Sequence, residues 1–142
     1  MNARLMGVDD KIKHKLGKAP DWAEVLPQCQ ESSQEFLASL DVMVSINGGA
    51  GENWPRIGLE AMATGVPLVV QDAWGWQEMI DHGKTGFLAK NDEQLAVYAS
   101  LLTRNQALRN DIVHNARAAV EKFADQATIW GQWESMLRGL GA

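Results

Sequence analysis

A single cysteine, Cys29, is all that the 142-residue sequence offers in thiol chemistry, which excludes an internal disulfide and a structural zinc site built on thiolates. That scarcity fits a reducing compartment, and the cytoplasm is the expected location. No histidine pattern accompanies Cys29 to activate it, and His14, His82 and His114 are too dispersed for metal-ligand spacing. No metal and no cofactor are therefore expected. Long apolar runs are also missing, since none approaches the roughly 18 residues of a spanning helix. The first twenty residues carry charges where a signal peptide would place its apolar segment, so neither secretion nor membrane insertion is expected. Basic residues are in deficit, 13 against 18 acidic ones for a net charge of -5, and the densest basic stretch is only residues 11–18. A phosphate track for nucleic acid is excluded on that ground.

What remains has the composition of a globular domain, 46% apolar and 22% charged. A chain of this length buries about 68% of its unfolded surface, enough for one core, and a single domain over residues 1–142 is expected. Residues 4–8 are a short apolar stretch, and residues 9–16 read as a helix with Asp9 as N-cap and Gly17 as its left-handed stop. Glu24, Val25 and Leu26 form a brief strand ended by Pro27. Ser32 or Ser33 caps a helix running to Leu40, and residues 41–46 (DVMVSI) read as a buried strand. The glycine-rich residues 47–51 are a loop, Pro55 suits a first helical position, and that helix runs through Ala63 to a stop at Gly65. Residues 66–70 (VPLVV) are nearly all apolar, as a parallel strand covered on both faces must be. A short helix at 78–81, a strand at 86–89 and a helix at 92–102 capped by Asn91 or Asp92 follow. From Asn105 the chain is helical to its end, with Leu108, Ile112, Ala116, Ala119, Val120 and Phe123 at helical spacing, then Ile129, Trp130, Trp133, Met136 and Leu137. Strands alternating with helices predict an α/β fold, a Rossmann-like doubly wound parallel sheet of about four to five strands with a helical C-terminal segment.

Such sheets hold ligands at the carboxyl ends of their strands and anions on helix N-termini. The strand at 41–46 runs into Asn47-Gly48-Gly49-Ala50-Gly51 and then Glu52-Asn53-Trp54-Pro55-Arg56-Ile57-Gly58-Leu59-Glu60, where a helix opens. Glycines there let backbone approach a diphosphate, and Glu52 and Glu60 are far enough apart to reach different parts of one elongated ligand.

Two glutamates separated by seven residues, followed by Ala61-Met62-Ala63-Thr64-Gly65-Val66-Pro67-Leu68-Val69-Val70, resemble the donor-binding half of the large retaining group of GT-B glycosyltransferases. Gly75, Glu78, Met79, Ile80, Gly83, Thr85, Gly86, Phe87 and Leu88 are similar to a later stretch of that family. So are Asn115-Ala116-Arg117 and Phe123 in the closing helices, and the resemblance spans residues 32–138. It implies binding of a nucleoside-diphosphate sugar and transfer of the sugar to an acceptor held elsewhere. Glu52 would be the catalytic residue, contacting donor sugar hydroxyls and supporting positive charge at the anomeric carbon. Glu60 would hold the ribose, the amides of Arg56 and Ile57 would meet the diphosphate, and Gly49, Asn53 and Gly58 complete the implied donor-binding set. The family is metal-independent in this manner, and no Asp-x-Asp pair is present here. Pro55 stands where the family usually has glycine and Arg56 where it has an aliphatic residue, which makes Arg56 a candidate phosphate cation.

The family's enzymes are roughly three times longer, with an acceptor domain first, so the resemblance implies a donor domain that begins after its first βα unit and lacks turnover alone. A non-catalytic binding or assembly module is the alternative, and a nucleotide-sugar epimerase shares the architecture. In a sheet of order 3-2-1-4-5-6, with residues 4–8 as the second strand, the central slot is empty and the strand at 41–46 has an open edge. A shift of the amino-terminal segment into that slot, self-association into a homodimer, or a separately encoded partner chain would close it. Among the six tryptophans, Trp130 and Trp133 are expected in the core with Met136 and Leu137, whereas Trp54, Trp74 and Trp76 lie in loops at the carboxyl edge, where one could line a ligand.

Overall fold

The computed structural model describes residues 2–8, 10–46, 51 and 53–140. Five strands and seven helices alternate among them: β1 (Ala3–Met6), α1 (Asp10–Leu16), β2 (Ala23–Leu26), α2 (Ser33–Ala38), β3 (Met43–Ser45), α3 (Arg56–Thr64), β4 (Leu68–Gln71), α4 (Gly75–Met79), β5 (Phe87–Ala89), α5 (Asp92–Arg104), α6 (Gln106–Phe123) and α7 (Gln126–Leu140). All strand pairs are parallel, as helical crossovers between them require. The fold is the expected α/β class, but its strands divide into two sheets. β1 pairs with β2, Ala3 opposite Ala23 through Met6 opposite Leu26. β4 is central in the other sheet, with Met43 of β3 opposite Leu68 and Phe87 of β5 opposite Val69.

The alternating direction of side chains along β4 builds a core on each face of that sheet. Leu68 and Val70 join Leu37, Ala61, Met62, Val66, Trp76, Met79, Ile80 and Ala116 on one side. Val69 joins Phe87, Ala89, Leu95, Leu102 and Ile112 on the other. Helix α6 contributes to both, Ala116 to the first and Ile112 to the second, and so ties the two layers together.

Several expectations need correction. The strand at 41–46 is only Met43–Ser45, and it is not buried, because β3 lies at a sheet edge with Val44 48% and Ile46 57% exposed. The helix expected at 78–81 is Gly75–Met79, since Trp76 and Met79 are the residues that pack inward. Pro55 is the N-cap of α3 and not its first helical residue, with an extended ψ of 100°. Trp130 and Trp133 are 70% and 53% exposed, Met136 and Leu137 49% and 59%, and Phe123 is also exposed. Helical periodicity gives a helix one apolar face without saying what covers it, and α7 buries no residue. The expected Asp9 cap and loop residues 47–50 lie outside the described residues.

Candidate functional site

The start of α3 and the turn from β4 into α4 follow the carboxyl ends of β3 and β4. Helix α3 forms because Ile57, Ala61 and Met62 recur on one face against the first core, and it stops at Gly65, whose φ of +87° is one that glycine adopts without strain. The Gly65 amide donates to the carbonyls of Ala61 and Met62, and Arg117 Nη2 of α6 donates to Thr64 O at 3.0 Å. A cation therefore sits on the negative end of the helix dipole. An added Cβ at Gly65 would lie 2.4 Å from Arg117 Nη2, so that seat exists only because residue 65 has no side chain.

The other end of α3 is prepared differently from those of α2 and α5. A reciprocal capping box of Ser32 and Glu35 closes α2, where hydrogen bonds from the Ser32 hydroxyl and amide hold the Glu35 carboxyl below its usual range. Asn91 caps α5 by accepting from the Gln94 amide at 2.9 Å, and Asp92 and Glu93 occupy its first turn. At α3, buried Pro55 is the N-cap, no side chain among the described residues caps the helix, and its first turn has no acidic residue. Helix geometry leaves the amides of Arg56 and Ile57 without intrahelical acceptors, on the positive end of the dipole. This end is suited to an anion.

Arg56 and Glu60 are exposed, one turn apart on one face of α3, and no ion pair joins them to each other or to another described residue. Ile57 is half-buried against the first core, and Asn53 is exposed just before the helix. Gly58 is buried, and a Cβ there would fall 2.6 Å from Trp76 Cζ3 and 2.7 Å from Met79 Sδ. Its missing side chain lets α3 settle on α4. Gly49 and Glu52 lie outside the described residues. The carboxyl edge therefore brings Asn53, Arg56, Ile57, Gly58 and Glu60 onto one short segment. Among the described residues no group of three or more His, Cys, Asp or Glu is arranged to hold a metal ion.

Two features escaped sequence reasoning. Arg117 was legible as part of the closing helices, but its contact with Thr64 crosses 53 positions and carries no local signal. Of the three edge tryptophans, Trp76 is wholly buried on α4, Trp54 is 39% exposed and meets Phe123 edge-on at 5.7 Å, and Trp74 is 56% exposed with φ +57°. Nothing in the sequence pattern separates Trp74 from Trp76, since strand-like alternation would put both on one face.

The family described as Glycosyl transferases group 1 matches residues 15–119. An exopolysaccharide phosphotransferase of Streptomyces coelicolor is 36% identical over 124 residues, covering 84% of this chain and 13% of the relative. The N-acetyl-alpha-D-glucosaminyl L-malate synthase of Bacillus anthracis is 30% identical over 109 residues, 75% of this chain and 28% of the relative. The chain thus spans less than a third of the curated relatives it matches. Among solved structures, Anabaena HepE in complex with UDP-glucose superposes with a TM-score of 0.70 at 25% identity, over 91% of this chain and 35% of that one. The C-terminal domain of the group 1 protein LpcC from Francisella tularensis superposes with a TM-score of 0.62 at 22% identity, over 79% and 60%.

Proposed function

The chain belongs to the glycosyl transferases of group 1, and from that premise we propose that residues 1–142 form a single partial nucleotide-sugar-binding domain, the donor half of a retaining glycosyltransferase. The observation that carries the reading is the N-terminus of α3, uncapped by any described side chain and free of first-turn acids, beside exposed Arg56 and Glu60. In this reading the amides of Arg56 and Ile57 receive the diphosphate, Arg56 adds a cation, and Glu60 accepts the ribose hydroxyls. Gly49, Asn53 and Gly58 line the donor path. Glu52 serves the sugar and is the catalytic residue, since a carboxylate beside the anomeric carbon stabilises the positive charge that develops as the leaving diphosphate departs. Helix dipole and arginine together offset the leaving group's charge without a metal. The acceptor is supplied by another domain, a partner chain or a second copy. The place of action is the cytoplasm, in keeping with the single exposed Cys29 and with the finding that no helix among the described residues is long and apolar enough to cross a membrane.

Titration calorimetry with UDP and GDP, with and without a chelator, tests this. Binding of one of them unchanged by the chelator is expected, while strict dependence on magnesium or manganese would overturn the phosphate arrangement. Binding of neither would favour a non-catalytic assembly module. Replacing Glu60 by Ala should cost about 1.5–3 kcal/mol of nucleotide affinity, tenfold or more, as for hydrogen bonds to a charged acceptor. Glu52→Ala should spare the nucleoside diphosphate and weaken the sugar nucleotide. Equal losses for both ligands would refute that division of labour.

A further inference from the structure

Trp74 combines two costs that the folded chain does not recover. Its backbone sits at φ +57°, ψ -144°, a strained region that residues with a side chain rarely enter. Its indole is nevertheless 56% exposed, so it returns little of the burial that stabilises an ordinary tryptophan. Two residues later Trp76 is wholly buried and fixes α4 in the core, which leaves the preceding turn to hold Trp74 outward. Trp74 caps α4 through its backbone, its carbonyl accepting from the Gln77 amide at 3.1 Å, a service any residue could provide.

The placement of the ring is specific. Trp74 follows β4 at the carboxyl edge of the sheet, and its six-membered ring lies on Gly51. A Cβ on residue 51 would come within 3.2 Å of Cε3 and Cζ3. Gly51, which precedes Glu52 in the chain, thus admits the indole, and half-exposed Trp54 stands three positions further along. An exposed indole at the sheet edge where the donor reading puts the sugar suits pyranose recognition, its electron-rich π face taking the C–H face of the ring. Strain held at a surface aromatic in such a position is expected where a ligand completes the packing.

We propose that Trp74 is a stacking platform for a pyranose ring at this edge. The inference rests on the donor-domain reading for bringing a sugar to this edge, but not for the stacking itself. A sugar could reach Trp74 on a donor nucleotide or as part of an acceptor, and two arms separate the sources. In the donor arm, UDP, UDP-glucose and UDP-N-acetylglucosamine are titrated into wild type, Trp74→Phe, Trp74→Ala and Trp74→Gly. In the acceptor arm, methyl α-D-glucopyranoside is titrated by ligand-detected NMR in the presence of UDP. Loss of the ring in the Ala and Gly variants should weaken sugar-dependent binding about three- to tenfold in one arm, the size of an aromatic contact, while Phe retains most of it. Binding of UDP alone should be unchanged. Trp74→Gly should melt above Trp74→Ala, because both remove the indole and only glycine relaxes φ.

Failure of wild type to bind any nucleotide, with the pyranoside arm still dependent on Trp74, would sink the donor reading and leave the platform standing. Sugar binding indifferent to residue 74, an equal loss of UDP affinity, or no sugar binding in either arm would overturn the platform.

Discussion

The two sheets of this protein are held together by different physics. In the three-stranded sheet, Leu68, Val69 and Val70 of β4 are fully buried and helices cover both faces, so stability rests on apolar packing. In the β1–β2 pair every residue but Leu26 is at least partly exposed, and the organising element is a cation. Arg4 donates from Nε to Glu24 at 2.6 Å and from Nη2 to Glu31 at 2.7 Å, also bonds Ser39, and lies over the Phe36 ring at 5.4 Å. Hydrogen bonds to Glu31 and then Glu24 push the guanidinium further above its ordinary pKa. One side chain thus joins β1, β2, the following loop and α2. Parallel strands need cover on both sides, and where apolar cover is thin a polar clasp substitutes at a lower return.

The contrast can be broken at its strongest point first. Trp76→Ala should cost about 3–5 kcal/mol in a denaturant titration, as for a fully buried aromatic, with the packing of Gly58 lost as well. Leu5→Ala in β1, at a side chain 39% exposed, should cost far less. Equal costs would mean that the two sheets share one core after all. Next in size, Arg4→Met should raise amide exchange in β1 and β2 while leaving β4 protected, because the clasp is local. Loss of protection in β4 would show that Arg4 supports the whole fold.

The smallest effect belongs to α7, which neither sheet covers. Asp125 accepts from the Thr128 hydroxyl and, at 3.0 Å, from its amide, and these bonds hold its carboxyl below the usual aspartate range. A depressed folded pKa means that the stabilisation is present above the unfolded value and is lost as pH falls through the folded one. Acidification through that window should fray the start of α7 in amide-resolved NMR, and Asp125→Ala should abolish the pH response. A response that persists in the variant would assign the titration elsewhere.

How far these differences were legible follows from where each signal lies. Residues 66–70 and the helix after Pro55 announce themselves locally, because an unbroken apolar run and a glycine stop depend on neighbours in sequence. The aromatic stripe of α7 was equally plain, yet amphipathicity records only that a face is apolar, and here Trp130 and Trp133 face outward. Split sheets, the Arg4 clasp and the Arg117 contact all join positions far apart in sequence, which no window of residues contains. The segment bearing Asn53, Arg56, Ile57, Gly58 and Glu60 was read as one unit because a single loop and helix carry it. Packing gave Gly58 a second duty beneath Trp76 that its motif position did not disclose.

The seat of Arg117 over Gly65 also couples what these two positions can become. With φ at +87° any side chain at residue 65 is strained, and a Cβ there would fall 2.4 Å from the guanidinium and displace the mobile end of Arg117 from Thr64. Asparagine is the least strained replacement. A lineage that loses the arginine gives up one bond to Thr64, whereas one that alters the glycine gives up that bond and takes on backbone strain as well. Two sites far apart in sequence therefore share one heritable cost, unequally divided between them.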